Sequence, residues 1–354
     1  MKTRKILALI LALAMTLCVF AACSKNADNG KEATEAGADA SAEPASAKDT
    51  DGKVFKIGVM QFGEFDALIN AYNGFKDGLA EAGYVEDQNV KFNYLSAAAE
   101  TANCPSIADT LIGDESDLIL AIATPSVLAL KEKTTEIPVL FTAVTDPVAS
   151  GIIESEETPG GNISGTSDMN PVKEQIDLLI DVLPEAKTVA VMYCSSESNS
   201  AAQYELAKAA LEEKGLTCVQ KTISAIDEAK SAIESLKGQV DALYIPTDNT
   251  LADAMTLVAD AAKENGIPTI CGESGMVADG GLATYGIDYY VLGKQTAEMA
   301  VKVLESENPL ETVGSLQVVH QTEGNEIAVN TETAEALNIT ISEDILSKAK
   351  KFPE

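Results

Sequence analysis

Hydroxyl, carboxylate and amide side chains repeatedly follow apolar segments of this sequence, at the points where helical segments begin. The clearest case is Thr247, Asp248 and Asn249, which end the apolar run VDALYIP and precede LADAMTLVADAAKENG. Asp, Asn, Ser and Thr cap helices well, so each such turn has a purely structural interpretation. The same groups also bind polar ligands through hydrogen bonds and charge. Whether the turns form one binding site depends on the elements that position them.

The elements that carry these turns alternate between short apolar strands and amphipathic helices. The first predicted strands are FKIGVMQF, VKFNYLSA, DLILAIA and IPVLFTAV. A break rich in Gly, Pro and Asn follows at 157–171, and the alternation restarts with TVAVMYC at 188–194. Near-continuous apolar strands separated by helices indicate parallel sheets that are covered on both faces. The sequence therefore predicts an α/β protein with two similar lobes, each a doubly wound parallel sheet.

The polar turns stand at equivalent ends of successive strands in both predicted lobes. Ligands of open parallel sheets bind beyond the carboxyl ends of the strands, so we predict one cleft shared by the two lobes. Helix N-termini at the same edge present free N–H groups, which suit a carboxylate. The predicted binding residues are Gln61, Glu64, Phe65, Thr124, Thr142, Thr145 and Asp146 in the first lobe, Glu197, Asn199, Ser200, Thr247, Asp248, Asn249 and Glu273 in the second, and Asp288 at a later lobe boundary.

The N-terminus has the pattern of an export signal. The basic segment MKTRK precedes the apolar stretch ILALILALAMTLCVF, and two alanines and Cys23 follow. Small residues before a cysteine resemble the lipobox of bacterial lipoproteins, although Phe20 stands where that pattern prefers Leu. We predict a signal peptide at 1–22 and a lipid anchor on Cys23 with a flexible tether at 23–53. The alternative is an ordinary signal peptide with an incidental cysteine.

Composition and motifs restrict the function classes. The formal net charge is −30, and such an acidic surface repels nucleic acid and anionic lipid. The sequence contains a single histidine, His320, and no GxSxG, HExxH, Walker A or GxGxxG motif. We therefore predict no catalytic residues, no metal site and no cofactor. An exported enzyme that uses a carboxylate pair from Glu64, Asp146, Glu197 and Asp248 is the alternative.

Six blocks of the sequence, taken in their order and spacing, resemble ABC-transporter substrate-binding proteins, which are bacterial lipoproteins with the type I periplasmic-binding fold. The blocks are AIATPS, PVLFTAVTDPVASG, PGGNISGTSD, ESNSAAQ, YIPTDN and GIDYYVLGKQTAEMA, within about residues 55 to 345. The resemblance implies an extracytoplasmic, monomeric protein that is held at the membrane by lipid only. It also implies a small-molecule ligand and an ABC permease and ATPase complex as partners. Relatives often carry His near the position of Phe65, and QFGEFD lacks it.

Several members of that family bind tryptophan, phenylalanine or tyrosine, which makes an amino acid the implied ligand. Its ammonium group needs an anionic partner, and its carboxylate needs N–H or hydroxyl donors. Asp248 is the preferred partner of the ammonium, with Asp146 and Glu197 as alternatives. The candidate donors to the carboxylate are Thr124, Thr145, Asn199, Ser200 and Asn249. The candidate aromatic residues of a side-chain pocket, unless they pack in the core, are Phe62, Phe65, Tyr193 and Tyr285.

The resembled fold has a three-segment hinge, about which the two lobes close on the ligand. We therefore place lobe one at 54–167 plus 288–317 and lobe two at 168–287 plus 318–354. A sensor or adhesin ectodomain of the same fold is a further alternative to a transport protein. A neighbouring permease and ATPase in the genome would distinguish transport from these.

Overall fold

The structure is a computed structural model that describes residues 47–321 and 325–353. The predicted signal peptide, Cys23 and most of the predicted tether lie outside the described residues. Within the described ranges, no helix is both long enough and apolar enough to span a membrane.

All strand pairs of the first sheet are parallel. Two of its strands, β3 (Leu118–Ile122) and β4 (Val139–Val144), are apolar and buried along their whole length, as expected for strands covered by helices on both faces. The strands, which pair in the order β11-β5-β4-β3-β1-β2, are β1 (Phe55–Gln61), β2 (Val90–Ser96), β3 (Leu118–Ile122), β4 (Val139–Val144), β5 (Ile163–Ser167) and β11 (Val319–His320). The helices of this lobe are α1 (Asp66–Glu81), α2 (Cys104–Gly113), α3 (Thr124–Lys133), α10 (Tyr289–Leu304) and α11 (Pro309–Ser315).

The second sheet is parallel except near one end, where β12 (Glu326–Asn330) pairs antiparallel with β10 (Ala283–Gly286). The strands, in the order β13-β12-β10-β9-β8-β6-β7, are β6 (Thr188–Cys194), β7 (Thr217–Ile223), β8 (Ala242–Ile245), β9 (Thr269–Cys271), β10 (Ala283–Gly286), β12 (Glu326–Asn330) and β13 (Lys350–Phe352). The helices are α4 (Val172–Val182), α5 (Ser198–Glu213), α6 (Ala229–Glu234), α7 (Asn249–Asp253), α8 (Met255–Glu264), α9 (Ser274–Ala278), α12 (Thr331–Ala336) and α13 (Glu343–Leu346). We call the first sheet with its helices lobe one, and the second with its helices lobe two. The predicted fold of two doubly wound α/β lobes is confirmed.

The chain passes from lobe one to lobe two after β5, returns after β10 and passes again after β11. The sequence placed every residue from 318 onward in lobe two. That boundary is wrong by a few residues, because Val319 and His320 pair with Thr166 and Ser167 of β5. This pairing covers the edge that β5 would otherwise expose.

The four cysteines of the described chain are free thiols. Because Cys194, Cys218 and Cys271 lie in or beside apolar segments of the sequence, buried thiols are expected at all three positions. Cys194 and Cys271 are buried, as is Cys104, whereas Cys218 is only half-buried because it lies in the edge strand β7.

Two glycines allow α10 to pack closely against α1 in lobe one. A Cβ atom on Gly293 would lie 2.0 Å from the carbonyl oxygen of Ala71, and one on Gly74 would lie 2.0 Å from that of Tyr290. Neither contact involves a flexible side chain, so only a shift of a helix would relieve it. The close packing positions α10, whose first residue, Tyr289, lines the pocket described below.

We expect Gly293→Ala to destabilise the protein by about 1–3 kcal/mol, because overpacking of a close contact costs that much. Gly113→Ala is the matched control, since Gly113 also lies in a helix but a Cβ there meets no heavy atom within 4 Å. Thermal unfolding should show a lower midpoint for Gly293→Ala and an unchanged or slightly raised midpoint for Gly113→Ala. Equal midpoints in the two variants would contradict the proposed packing.

Candidate functional site

The carboxyl ends of the two sheets face each other across a pocket that we call the interlobe pocket. The space left at its centre is about 10 Å³, roughly enough for one water molecule. None of the described residues that line it is basic. The lining residues are Phe65, Ala67, Leu68, Ala143, Thr145, Asp168, Asn199, Thr247, Asp248, Asn249, Ala252, Glu273 and Tyr289.

Side-chain hydroxyl groups of the two lobes contact each other directly. The hydroxyl oxygens of Thr145 in lobe one and Thr247 in lobe two lie 3.4 Å apart. The hydroxyl of Ser198 donates to Ser150 Oγ across the cleft at 3.1 Å. The amide of Gln203 donates to Thr247 Oγ1 at 2.6 Å and holds that side chain in place. The lobes are therefore closed on each other.

Asp248 lies at the end of β8, where its carboxylate caps α7. Oδ1 accepts the backbone N–H of Leu251 at 2.9 Å, and Oδ2 accepts that of Cys194 at 2.7 Å. Burial, and then the neighbouring Glu197, raises the pKa of Asp248 to about 8. Both oxygens are thus occupied by backbone donors of lobe two, although the residue lines the pocket.

Glu197 is the most fully hydrogen-bonded carboxylate near the pocket. Its oxygens accept the backbone N–H groups of Asn249 and Thr250 at 2.9 and 2.8 Å. They also accept the side chains of Asn249 at 2.7 Å, Thr250 at 2.7 Å and Asn199 at 3.2 Å. Because these donors all belong to lobe two, Glu197 ties the start of α7 to the start of α5.

Asp168 is a buried carboxylate of the pocket that is not among the predicted binding residues. It follows β5, and its Oδ2 accepts the hydroxyl of Tyr289 at 2.8 Å. Its Oδ1 accepts no hydrogen bond from the described part of the chain. Burial raises the pKa of Asp168 against the opposite effect of the Tyr289 hydroxyl and the nearby Thr145 hydroxyl. Burial and the Asp168 charge also raise the pKa of Tyr289 well above its usual value, so this hydroxyl keeps its proton.

Three further predicted carboxylates cap helices or turns. Glu273 is buried in the pocket wall and accepts the backbone N–H groups of Gly275 and Met276 at the start of α9. Burial and the facing Asp66 raise its pKa to about 7. Asp288 caps α10, and Asp146 accepts two N–H groups of the turn that follows it.

The remaining predicted residues lie in several places. Glu64 is exposed and accepts the hydroxyl of Tyr94 at 2.6 Å. Thr142 is buried within β4, where it accepts the hydroxyl of Thr166. Seven of the fifteen predicted residues line the interlobe pocket: Phe65, Thr145, Asn199, Thr247, Asp248, Asn249 and Glu273. Those outside its lining are Gln61, Glu64, Thr124, Thr142, Asp146, Glu197, Ser200 and Asp288.

A groove of about 180 Å³ adjoins the interlobe pocket at Asn199, which lines both spaces. On one side of it lies Thr124 at the start of α3, and on the other lies the segment 196–199 at the start of α5. The N-terminus of an α-helix carries a partial positive charge and unpaired N–H groups. The two helix starts favour an anionic group in this groove, whereas the carboxylates of Glu132 and Glu197, which also line it, oppose one.

We expect the stability of the protein to fall as the pH rises from about 4 to 8. The folded pKa values of Asp248 and Glu273 are raised to about 8 and 7, above the usual carboxyl values near 4. Between these values the folded state keeps protons that the unfolded state releases. The two groups therefore contribute their full stabilisation below a pH of about 4, and this contribution is lost as the pH rises through their folded pKa values. Glu273→Gln should flatten the slope of unfolding temperature against pH, and a wild-type slope would contradict this.

No group of three or more His, Cys, Asp or Glu side chains in the described ranges is placed to hold a metal ion. The histidine at 320 lies in β11, with its Nε2 2.9 Å from an oxygen of Glu156. The carboxylate, hydroxyl and amide side chains that line the interlobe pocket are suited to binding through hydrogen bonds and charge.

Comparison with known proteins finds a match along almost the whole described chain. The family model described as ABC transporter substrate binding protein matches residues 56–352. The chain is 38% identical over 339 residues to the tyrosine-binding protein of Clostridioides difficile (strain R20291), a match that covers 96% of this chain and 93% of that protein.

Two solved structures resemble the chain to different degrees. The ABC domain in complex with L-Trp from Streptococcus pneumonia superposes with a TM-score of 0.80 at 33% identity, covering 84% of this chain and 99% of its own. The ligand-free, open structure of a substrate-binding protein with adhesive properties from Clostridium difficile gives a TM-score of 0.65 at 39% identity, with the same coverage. The second structure is closer in sequence, whereas the first is closer in overall arrangement.

Proposed function

Because this chain belongs to the family of ABC transporter substrate-binding proteins, we propose that it captures an aromatic amino acid between its two lobes. The observation that carries the proposal is Asp168 Oδ1, a buried acceptor of the interlobe pocket to which no described residue donates. An unpaired buried acceptor is costly, and an ammonium group is a strong donor to it. Asp168 replaces Asp248 as our candidate for the ammonium, because both oxygens of Asp248 already accept backbone N–H groups.

The groove at Asn199 is our candidate for the carboxylate of the amino acid. The starts of α3 and α5 lie on it, and Thr124 adds a hydroxyl donor. The ammonium site and this groove meet at Asn199, so the two charged groups of an amino acid would lie on neighbouring parts of one site. The relatives named for tyrosine and for L-Trp support an aromatic side chain as the third group.

Opening and closing of the lobes is part of the proposal. The central space of about 10 Å³ does not admit an aromatic amino acid, so the lobes have to separate before a ligand enters. The higher TM-score against the L-Trp complex than against the open, ligand-free relative supports a hinge motion in this family. In transport, the closed and loaded protein would deliver the amino acid to an ABC permease and ATPase complex.

Thermal unfolding in the presence of candidate ligands tests this function. A ligand that binds only the folded protein stabilises it by about 2.7 kcal/mol at 100 times its Kd. We expect L-tyrosine, L-tryptophan or L-phenylalanine to raise the unfolding temperature and to be recovered unchanged, since the proposal excludes turnover. A response to sugars or nucleosides alone, or chemical conversion of the amino acid, would contradict it.

We also propose that the protein is monomeric and is held outside the cytoplasm by a lipid on Cys23. Replacing Cys23 by Ala should move the protein from the membrane fraction to the soluble fraction, because a lipid chain rather than a spanning helix would be the anchor. Cys218→Ala, which removes a half-buried free thiol of the body, is the matched control and should stay with the membrane. A Cys23→Ala protein that still sediments with membranes would show that the anchor lies elsewhere.

A further inference from the structure

Phe65 is a lobe-one residue that reaches the core of lobe two. It directly precedes α1, and its half-buried side chain packs against the core of lobe one. The same side chain packs against the cluster of lobe two that contains Leu251, Ala252 and Met276. Among the described half-buried apolar side chains, it alone packs against both of these clusters. It therefore bridges the cleft through apolar contact.

The ring of Phe65 is also the main apolar group of the interlobe pocket. The other apolar residues that line the pocket are the aliphatic side chains of Ala67, Leu68, Ala143 and Ala252. The second aromatic lining residue, Tyr289, donates its hydroxyl to Asp168. A ligand with an aromatic ring would need apolar contact in this same part of the cleft.

The segment before Phe65 is shaped to hold the ring in place. A Cβ atom on Gly63 would lie 3.0 Å from Cε1 of the Phe65 ring and 3.4 Å from the carboxylate of Asp253 in lobe two. Glycine at this position thus lets the backbone of lobe one, the ring and lobe two come close together. The ring occupies a fitted position between the lobes.

We propose that Phe65 acts as an internal substitute for the ligand's ring. When the lobes close without a ligand, the Phe65 ring makes the apolar contact with lobe two that the ring of a bound amino acid makes otherwise. The closed, ligand-free form is thereby stabilised, and a ligand has to compete with Phe65 for this position. The identity of the ligand rests on the proposed function, whereas the stabilisation of the closed, ligand-free form does not.

Phe65→Ala separates these effects in two measurements on the purified protein. Small-angle scattering without ligand should give a larger radius of gyration than for the wild type, because the closed form loses its bridge. Only the open form admits a ligand, and in the wild type we expect about a tenth or less of the molecules to be open. Because Phe65→Ala favours the open form, the association rate constant for L-tyrosine should rise about tenfold or more. Phe92→Ala is the matched control, because Phe92 is a half-buried aromatic residue of β2 that packs against Tyr72. It should change neither measurement.

An unchanged radius of gyration in ligand-free Phe65→Ala would overturn the proposal. So would an unchanged or lower association rate, which would make the ring an ordinary wall of the site. If Phe65→Ala fails to fold, Phe65→Leu must shift both measurements in the same direction by a smaller amount. If no aromatic amino acid binds to any variant, the proposed function fails, while the scattering result still decides the role of Phe65.

Discussion

Replacing Asp168 by asparagine is expected to weaken the binding of an aromatic amino acid by about 100-fold or more. Removing one partner of a buried charge pair costs roughly 3–5 kcal/mol, and each 1.4 kcal/mol is about tenfold in affinity. The unliganded protein should keep its stability, because asparagine still accepts the hydroxyl of Tyr289 and removes a charge that burial disfavours. Calorimetric titration and thermal unfolding of the one variant give both results.

Asp146→Asn is the matched control for this prediction. Asp146 is a half-buried aspartate that also follows a strand of lobe one, but its Oδ1 accepts the backbone N–H groups of Val148 and Ala149. Asparagine retains an acceptor for that turn, so the affinity should change by no more than about twofold, as for most substitutions near the surface. Wild-type affinity in Asp168→Asn would show that another group, with Asp248 as the next candidate, meets the ammonium.

Replacing Glu197 by alanine is expected to have the second large effect, which is a loss of stability. Five hydrogen bonds from Asn199, Asn249 and Thr250 end on this carboxylate. Each buried donor left without an acceptor costs about 1–3 kcal/mol. With partial relaxation, the free energy of unfolding should fall by roughly 3–5 kcal/mol. Urea unfolding without ligand measures this loss.

Glu205→Ala, on the exposed face of α5, the helix that follows Glu197, is the control and should change stability by no more than about 0.5 kcal/mol. Glu197→Gln distinguishes a structural role from a ligand role. If Glu197 acts only by holding the starts of α5 and α7 together, Glu197→Gln should also clearly lower the free energy of unfolding. Loss of binding with full stability would instead make Glu197 the partner of the ammonium, as the sequence analysis allowed.

The fold was predictable because its signals are local. The runs LILAI and VLFTAV are apolar without interruption, and both are strands buried along their whole length. Polar turns after such strands could be assigned to one edge of a sheet by a general rule of parallel sheets. The antiparallel β12 and the three-residue β13 gave no comparable signal, since EIAVN and KKF are short and mix polar with apolar residues.

The candidate site was less predictable because it depends on which carboxylate oxygens are already occupied. Asp248 and Glu273 have residue types and positions that suit a ligand, but their oxygens accept backbone N–H groups of the helices that they precede. Asp168 stands in a segment rich in Gly, Pro and Asn that reads as a connection. Its hydrogen-bond partner Tyr289 lies 121 residues further along the chain. No local pattern joins two residues at that separation.

A crystal structure of the protein with L-tyrosine or L-tryptophan bound is the most direct test of the proposed site. We expect the amino acid to lie between the lobes, with its ammonium nitrogen about 2.7–3.2 Å from Asp168 Oδ1 and its carboxylate at the starts of α3 and α5. We also expect the ligand's ring to take the place against lobe two that Phe65 holds here. A ligand bound outside the cleft, or one whose ammonium faces Asp248 or Glu197 instead of Asp168, would contradict the proposed site.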